Sequence, residues 1–470
     1  HKVPTIAERL ASYVNSIKFE SLPEDVIHET KKRFIDALGC ALGAVEKPPL
    51  KKMQKLRKEK VLSGKCENGK ATLWGTTLKL PIEYAVELNT FAVRYLDWND
   101  TYFGAHPGHE PAHPSDNIPS IAAVCESSGL GGKDLILGIV LSYEVQCRLC
   151  DSVGLRSRKW DHVNHIIPAA SSACARLLRY STGRISNVIA NSLIQGVQPR
   201  INRDADELSV WKGFAAAEAA FKAMRGLVLA GALDAPRDIY EGKSGFCDTV
   251  LGGKSFTLKP SDFGGTGNRF KIMEGYIKHH NAEFHAQVPV DLILSQRKSI
   301  LEKIDRIKYI EFLVSEPTWK IIGQDSRREP PKSKETADHS LHYMVSAALI
   351  DGELTDRQYV SKKLRNPEIL SMMKKVRVRE VPEFTECYPE KLSTVLRVIF
   401  KDGRVIESKS DYPYGHYKNP MSNSELEKKF RGLVSGSITK KQADGILKDI
   451  WDLEGINSIG GILKKMKARR

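Results

Sequence analysis

Four stretches concentrate side chains able to move protons or hold anions. The first is Leu96-Asp97-Trp98-Asn99-Asp100-Thr101, followed by a loop with His106, His109 and His113. His113-Pro114-Ser115-Asp116-Asn117 then leads into an apolar helical run, Ile118 to Val124. Ser115, Asp116 or Asn117 is expected to cap that helix, which sets His113 at its positive end. A histidine there tends to stay neutral and an anion nearby gains from the same field. The segment reads either as an acid/base and carboxylate-binding loop or as a polar surface loop. Three histidines so close also permit a metal site, but their spacing is irregular for ligands. The second stretch is Asp161-His162 with Asn164-His165, just ahead of a helix. The third, Trp211-Lys212-Gly213, opens an alanine-rich helix and puts lysine at the end that lysine disfavours, as a functional or a merely exposed residue. The fourth is His279-His280-Asn281-Ala282-Glu283-Phe284-His285, beside a change in pattern where active sites are often found. Taken singly, each of these histidines is as readily structural as catalytic.

Composition narrows the chemistry. Eight cysteines stand at 40, 66, 125, 147, 150, 174, 247 and 387, and only Cys147 and Cys150 are close together, within an apolar helical run. That is neither a zinc pattern nor the tight spacing of an iron–sulfur site, so reduced core thiols and no metal are expected. No apolar run approaches the roughly 20 residues of a membrane span. The start, His1-Lys2-Val3-Pro4-Thr5, carries no signal pattern, so a cytoplasmic location is expected, with the numbering beginning just inside the natural start. The net charge is +15, but lysines and arginines are spread among 57 acidic residues, with one concentrated basic run at Lys464–Arg470. A positive field of this kind suits a small multiply anionic substrate as well as it suits a nucleic acid.

The elements that must position these groups fall into two classes. With 470 residues the chain has room for two or three domains. Ser21-Leu22-Pro23-Glu24 has capping-box spacing, and Ile27, Phe34, Leu38 and Ala41 follow at helical intervals. Helical stretches continue through 134–150, 168–178, 186–197 and 214–233. Beyond about residue 305 the period shifts to that of strands, at 306–314, 375–379 and 393–400. Asp402-Gly403 between alternating runs marks a hairpin. Helical character returns at 424–433 and 440–453. The expectation is a mainly α protein: an all-helical core domain over 1–270, an inserted α+β lid domain over 271–420, and C-terminal helices over 421–470 rejoining the core.

Together these segments resemble the MmgE/PrpD family, and within it the 2-methylcitrate dehydratases. The resemblance rests on Val93 to Thr101, His113 to Asn117, Asp161-His162-Val163, Ala282 to His285, Asp338-His339-Ser340 with Tyr343-Met344-Val345, and Tyr412 to His416, in order over nearly the whole chain. It implies a homodimer with a cleft between a helical domain and a lid, and catalysis without metal or cluster. Asp97, His113, His162, Lys212 and His285 match its active site. Related cis-aconitate decarboxylases are expected to carry histidine where this chain has Gln287, and to lack Asp116-Asn117 after His-Pro-Ser; both features favour a dehydratase. His280-Asn281 departs from the more usual Phe-Pro. Dehydrating a β-hydroxy acid needs groups that hold carboxylates, stabilise negative charge, and supply a base and an acid. Lys212 is expected to bind a carboxylate, His113 and His162 to act as acid and base, and Asp97 to orient a histidine or take the proton. Arg200 and Arg203 are expected clamps for a tricarboxylic acid, with His416 a further binding residue. No nucleic-acid or membrane partner is expected.

Overall fold

The computed structural model describes residues 3–61, 70–104, 110–205 and 208–469, with only the backbone of 60 and 61. His106, His109 and Cys66 fall outside the described residues. The chain is mainly α. Among the described residues, ten α-helices make up its first half: α1 Ile6–Ser16, α2 Glu24–Ala44, α3 Pro48–Val61, α4 Ile82–Tyr95, α5 Ile118–Ser127, α6 Gly132–Ser152, α7 Ile166–Leu177, α8 Thr182–Leu193, the single turn α9 Ile201–Asp204, and α10 Trp211–Leu229. A two-stranded ribbon, β1 Ala71–Thr72 and β2 Lys79–Leu80, sits between α3 and α4.

Alanine shapes the centre of this half. Helix α10 buries Ala215, Ala216, Ala217, Ala219, Ala220 and Ala223, so α4, α7 and α8 can approach its backbone closely. At Gly226 a Cβ would come 2.1 Å from Ser192 Oγ of α8, so nothing larger than glycine fits this contact. Tight packing matters because α4 ends at the polar Asp97 segment and α10 begins at Lys212.

The second half changes period as its alternating sequence requires. Strands β3 Ile307–Val314, β4 Val376–Glu380, β5 Thr394–Phe400 and β6 Val405–Ser410 form one sheet in the order β4-β3-β5-β6. The β3–β4 pair is parallel and the other pairs are antiparallel. The hairpin between β5 and β6 turns at Gly403, whose φ of 86° is a glycine conformation. Helices Gln287–Ser295 and Leu341–Asp351 pack on this sheet.

Buried apolar side chains separate into two main clusters. One draws on Ile6 through Ile277 and again on Met421 through Met466, where the helices Asn423–Val434 and Lys440–Trp451 return to α2. The other draws on Tyr276 through Phe400. No helix among the described residues is long and apolar enough to cross a membrane. Seven described cysteines are free thiols, and all but Cys387 are buried.

Two capping expectations fail for local reasons. Ser21 Oγ donates back to Lys18 O at 2.7 Å within a 3₁₀ turn, so helix α2 starts behind Pro23 with no side-chain cap. True capping boxes form instead at Thr5/Glu8 and Thr439/Gln442. None of Ser115, Asp116 and Asn117 caps α5 either. A 3₁₀ turn, Pro114–Asn117, runs straight into the helix, and the Ser115 N–H is taken by Asp100 Oδ1 at 3.0 Å. Relieved of capping, the side chains of Ser115 and Asp116 accept from Asn99 Nδ2 at 2.9 and 3.0 Å.

Candidate active site

A cavity of about 1170 Å³ lies between the two apolar clusters and is lined from both sides. Its deepest feature is a buried charge cluster centred on Asp97. This residue follows helix α4 in the left-handed region (φ 56°), a position normally given to glycine or asparagine. The conformation costs about 1–2 kcal/mol. It turns the carboxylate back on its own helix: Arg94 Nη1 donates to Oδ1 at 2.5 Å. Lys278 Nζ donates to Oδ1 at 3.0 Å and to the Asp97 carbonyl at 2.8 Å. Lys212 Nζ donates to Oδ2 at 3.0 Å. Burial opposes the charge on Asp97, but Arg94, Lys212 and Lys278 together hold its carboxyl well below the usual range.

Lys212 extends the cluster. Its ammonium also donates to Asp338 Oδ1 at 2.9 Å and faces His339 Nδ1 at 3.1 Å. Asp338 is held by Lys334 at 2.9 Å. Asp97, Asp338 and His339 lie close enough together to share a cation; the Lys212 ammonium donates to both carboxylates, while His339 Nδ1 donates to Asp338 Oδ1 at 2.7 Å. The sequence expectation for Asp97 therefore needs correcting. It bonds Arg94, Lys212 and Lys278 rather than a histidine, and those cations favour its ionised form.

Two histidines stand beside this cluster with their rings 5.9 Å apart. His113 Nδ1 lies 2.8 Å from the Asp100 carbonyl. A carbonyl only accepts, so Nδ1 carries the proton and Nε2 is left with its lone pair. Burial, then Arg94 and Lys278, lower the His113 pKa well below the ordinary value. His162 opens a 3₁₀ turn whose cap is Asp161, and neither of its ring nitrogens has a hydrogen-bond partner. Its Nδ1 lies 3.3 Å from Asp161 Oδ1. Burial and Arg203 lower its pKa as well.

Comparison with known proteins agrees with this architecture. Residues 8–259 match the MmgE/PrpD N-terminal domain and residues 280–453 the MmgE/PrpD C-terminal domain. The chain belongs to the MmgE/PrpD family. It is 27% identical to a mitochondrial 2-methylcitrate dehydratase of Yarrowia lipolytica, over 94% of this chain and 86% of that one. It is 25% identical to a 2-methylcitrate dehydratase of Salmonella typhi, over 94% and 93%. It is also 24% identical to a cis-aconitate decarboxylase of Mus musculus, over 98% and 93%.

In this MmgE/PrpD chain the remaining expected residues divide. His285 lines the cavity, with Nδ1 2.7 Å from Glu283 Oε1 and Nε2 3.1 Å from Tyr388 Oη. Arg200 and Arg203 also line it. Arg203 Nε donates to both Asp161 oxygens at 3.1 Å, while Arg203 Nη2 and Arg200 Nη1 have no hydrogen-bond partner. His416 does not belong to the cavity. It stacks on Tyr276 at 4.0 Å and Tyr417 at 4.5 Å, and its Nδ1 accepts from Lys418 N. Gln287 is a second correction. It lies outside the lining, buried, with Oε1 accepting from His280 N and Nε2 donating to the carbonyls of His280 and Ala282. Position 287 thus holds a segment in place and has no face toward a substrate.

Sequence reasoning assigned no role to Lys278, Arg94, Asp338 or His339. The signal for Arg94 was its position three residues before Asp97 on α4, and for Asp338-His339 their membership of a matching block. Lys278 carried no signal, because its partner lies 181 residues away.

Proposed function

We propose that this protein is a hydro-lyase that eliminates water from a branched tricarboxylic acid, 2-methylcitrate or a close relative. The observation that carries the reading is the pairing of a cationic cavity with two buried neutral histidines beside the Asp97–Lys212–Lys278 cluster. Three carboxylates need several cations. Arg200 and Arg203 offer unpartnered guanidinium nitrogens, and Arg94, Lys212 and Lys278 supply positive charge deeper in. A substrate carboxylate accepts from the Lys212 N–H that is not taken by Asp97 and Asp338.

His113 is the base. Its Nε2 carries the free lone pair, and it removes the proton from the carbon next to a carboxylate. Negative charge then develops on that carboxylate's oxygens, where Lys212 and Lys278 stabilise it. His162 is the acid for the departing hydroxyl. The Asp161 carboxylate lies 3.3 Å from its Nδ1 and supports an imidazolium once an anionic substrate offsets Arg203 and Arg200; Asp97 favours protonation of His113 too, but without contacting its ring. The products are water and a tricarboxylic alkene. His285, held between Glu283 and Tyr388, closes the cavity from the opposite side and acts from the smaller apolar unit, which we take to be the lid. A homodimer and a cytoplasmic location complete the reading, the dimer being testable by light scattering.

The test is incubation with 2-methylcitrate, citrate and cis-aconitate, each followed by NMR. Loss of the 2-methylcitrate signals with growth of an alkene proton or methyl signal is expected. Carbon dioxide release from cis-aconitate at a rate matching or exceeding that reaction would replace dehydration by decarboxylation.

A further inference from the structure

The connector that delivers Lys278 to the cavity continues into His279 and His280, which the catalytic reading leaves unused. Neither lines the cavity. Helix Gln287–Ser295 brings a third candidate ligand to them, Asp291. His280 Nε2 lies 2.7 Å from Asp291 Oδ1, and His279 Nδ1 lies 3.8 Å from the same oxygen. One ligand atom from each of the three residues falls within 4.8 Å of the others. Among the described residues His279 Nδ1 has no partner at hydrogen-bond distance, although the atom itself is buried. The His279 side chain is 34% exposed and that of Asp291 23%, so the group is reachable from solvent.

The frame around these atoms is fixed without them. The second oxygen of Asp291 accepts from Tyr414 N at 2.9 Å, which sets the direction of the carboxylate. The His280 backbone is clamped on both sides by Gln287. The His279 carbonyl accepts from Trp98 Nε1 at 3.1 Å. Two imidazoles and one carboxylate form a donor set that suits zinc. Bonds of about 2.0–2.1 Å in a tetrahedral arrangement place ligand atoms about 3.3 Å apart. The observed separations of 2.7 and 3.8 Å lie on either side of that value.

We propose that His279 Nδ1, His280 Nε2 and Asp291 Oδ1 form a binding site for a divalent transition metal, zinc above others, with water as fourth ligand. The metal clasps the Lys278-bearing connector to helix Gln287–Ser295. Its place is structural, since none of the ligands reaches the cavity, and no catalytic step passes through it. On binding, the proton on His280 Nε2 moves to Nδ1 or leaves to solvent, and the ring ligates as neutral imidazole. The site departs from the metal-free expectation of the sequence: the nearest candidate ligands in the chain, Glu283 and His285, bond each other instead. Asp291 comes eleven residues later, and the fold supplies the meeting.

The test uses the untagged chain, stripped with chelator and titrated with cobalt(II), then zinc. One equivalent of cobalt is expected per chain, with the visible bands of four-coordinate cobalt, displaced by zinc. His279→Ala is expected to fold, because its side chain makes no hydrogen bond through Nδ1. It should weaken cobalt binding by more than about a hundredfold, beyond the cost of losing an outer-shell partner. Zinc should raise the Tm of the wild-type chain and leave that of His279→Ala unchanged. Absence of a stoichiometric cobalt equivalent in the wild-type chain would overturn the site. So would binding that survives in both His279→Ala and Asp291→Asn.

Discussion

Asp97→Asn removes one negative charge from a buried cluster in which Arg94, Lys212 and Lys278 all contact the same carboxylate. Asparagine keeps the shape of the side chain and tolerates the left-handed backbone at this position. The perturbation is therefore electrostatic. Each contact near 3.0 Å represents about 5 kcal/mol of gross attraction at an effective dielectric of about 20, offset by the cost of burying the charges. Removing one partner of such a buried set costs about 3–5 kcal/mol net, because the other charges are left uncompensated. The variant should lose about that much stability in urea unfolding. Its turnover should fall at least about a hundredfold, since the lysines lose the group that aims them at developing charge. Burial already pulls the Lys278 ammonium down, and without Asp97 it drops further, so the alkaline limb of kcat/KM should move to lower pH. If Asp97 were itself the base, the same variant would abolish turnover with little change in stability. An inactive variant as stable as the wild-type chain, to within about 1 kcal/mol, would refute the clamp.

Three further outcomes are expected. His113→Asn and Lys212→Ala should each lower kcat by at least about a hundredfold while the circular dichroism spectrum stays native, and near-normal turnover in either folded variant removes that residue from the machinery. Among the described residues, seven histidines have lowered pKa values, including His165 and His342 at about 4 and His416 at about 3, while four carboxyls are raised, Asp116 to about 7. The raised carboxyls hold protons in the folded chain and oppose the histidines, but seven histidines outweigh four carboxyls. Below pH 6.5 the unfolded chain therefore takes up more protons, and urea-unfolding stability should fall from pH 7 to pH 5, by about 1.4 kcal/mol per pH unit for each net proton; a flat profile contradicts it. Gln287→His should not create a decarboxylase. It breaks three buried bonds to the 280–282 backbone, each costing about 1–3 kcal/mol, so the expected change is a lower Tm with no carbon dioxide from cis-aconitate.

How far the sequence discloses this arrangement depends on the distance between partners. Strands β3, β4 and β5 were legible because alternation is local, and the Asp402-Gly403 turn because a hairpin joins neighbours. Asp97, His113, His162, Lys212 and His285 were legible as candidates because each sits in a short polar block inside an otherwise apolar pattern. Their roles were less so. Asp97 looked like a proton acceptor until Lys278 arrived from 181 residues away and Lys212 from 115. The expected capping of α5 fails because the acceptor of the Ser115 N–H, Asp100, precedes Ser115 by fifteen residues. His416 was expected to bind substrate, but it completes a stack of aromatic rings outside the cavity. Tertiary neighbours decide a side chain's chemistry, and only local neighbours are visible in a linear reading.

The same neighbours explain how a cavity so rich in cations can do acid–base chemistry. Without substrate, Arg94 and Lys278 act against protonation of His113, and Arg203 against that of His162, with burial as the largest influence on both. Two neutral histidines are then present and neither is an acid. On the proposed reading the substrate brings three negative charges among these cations. Their field offsets the cations at both rings, but unequally. Cations surround both rings, but His162 has Asp161 3.3 Å from its Nδ1, whereas Asp97 acts on His113 without contacting it and the His113 Nδ1 proton is committed to the Asp100 carbonyl. Substrate binding therefore favours protonating His162 while His113 keeps its lone pair. The acid and the base are distinguished by their surroundings when the anion arrives, and a neutral analogue of the substrate should bind without setting up that difference.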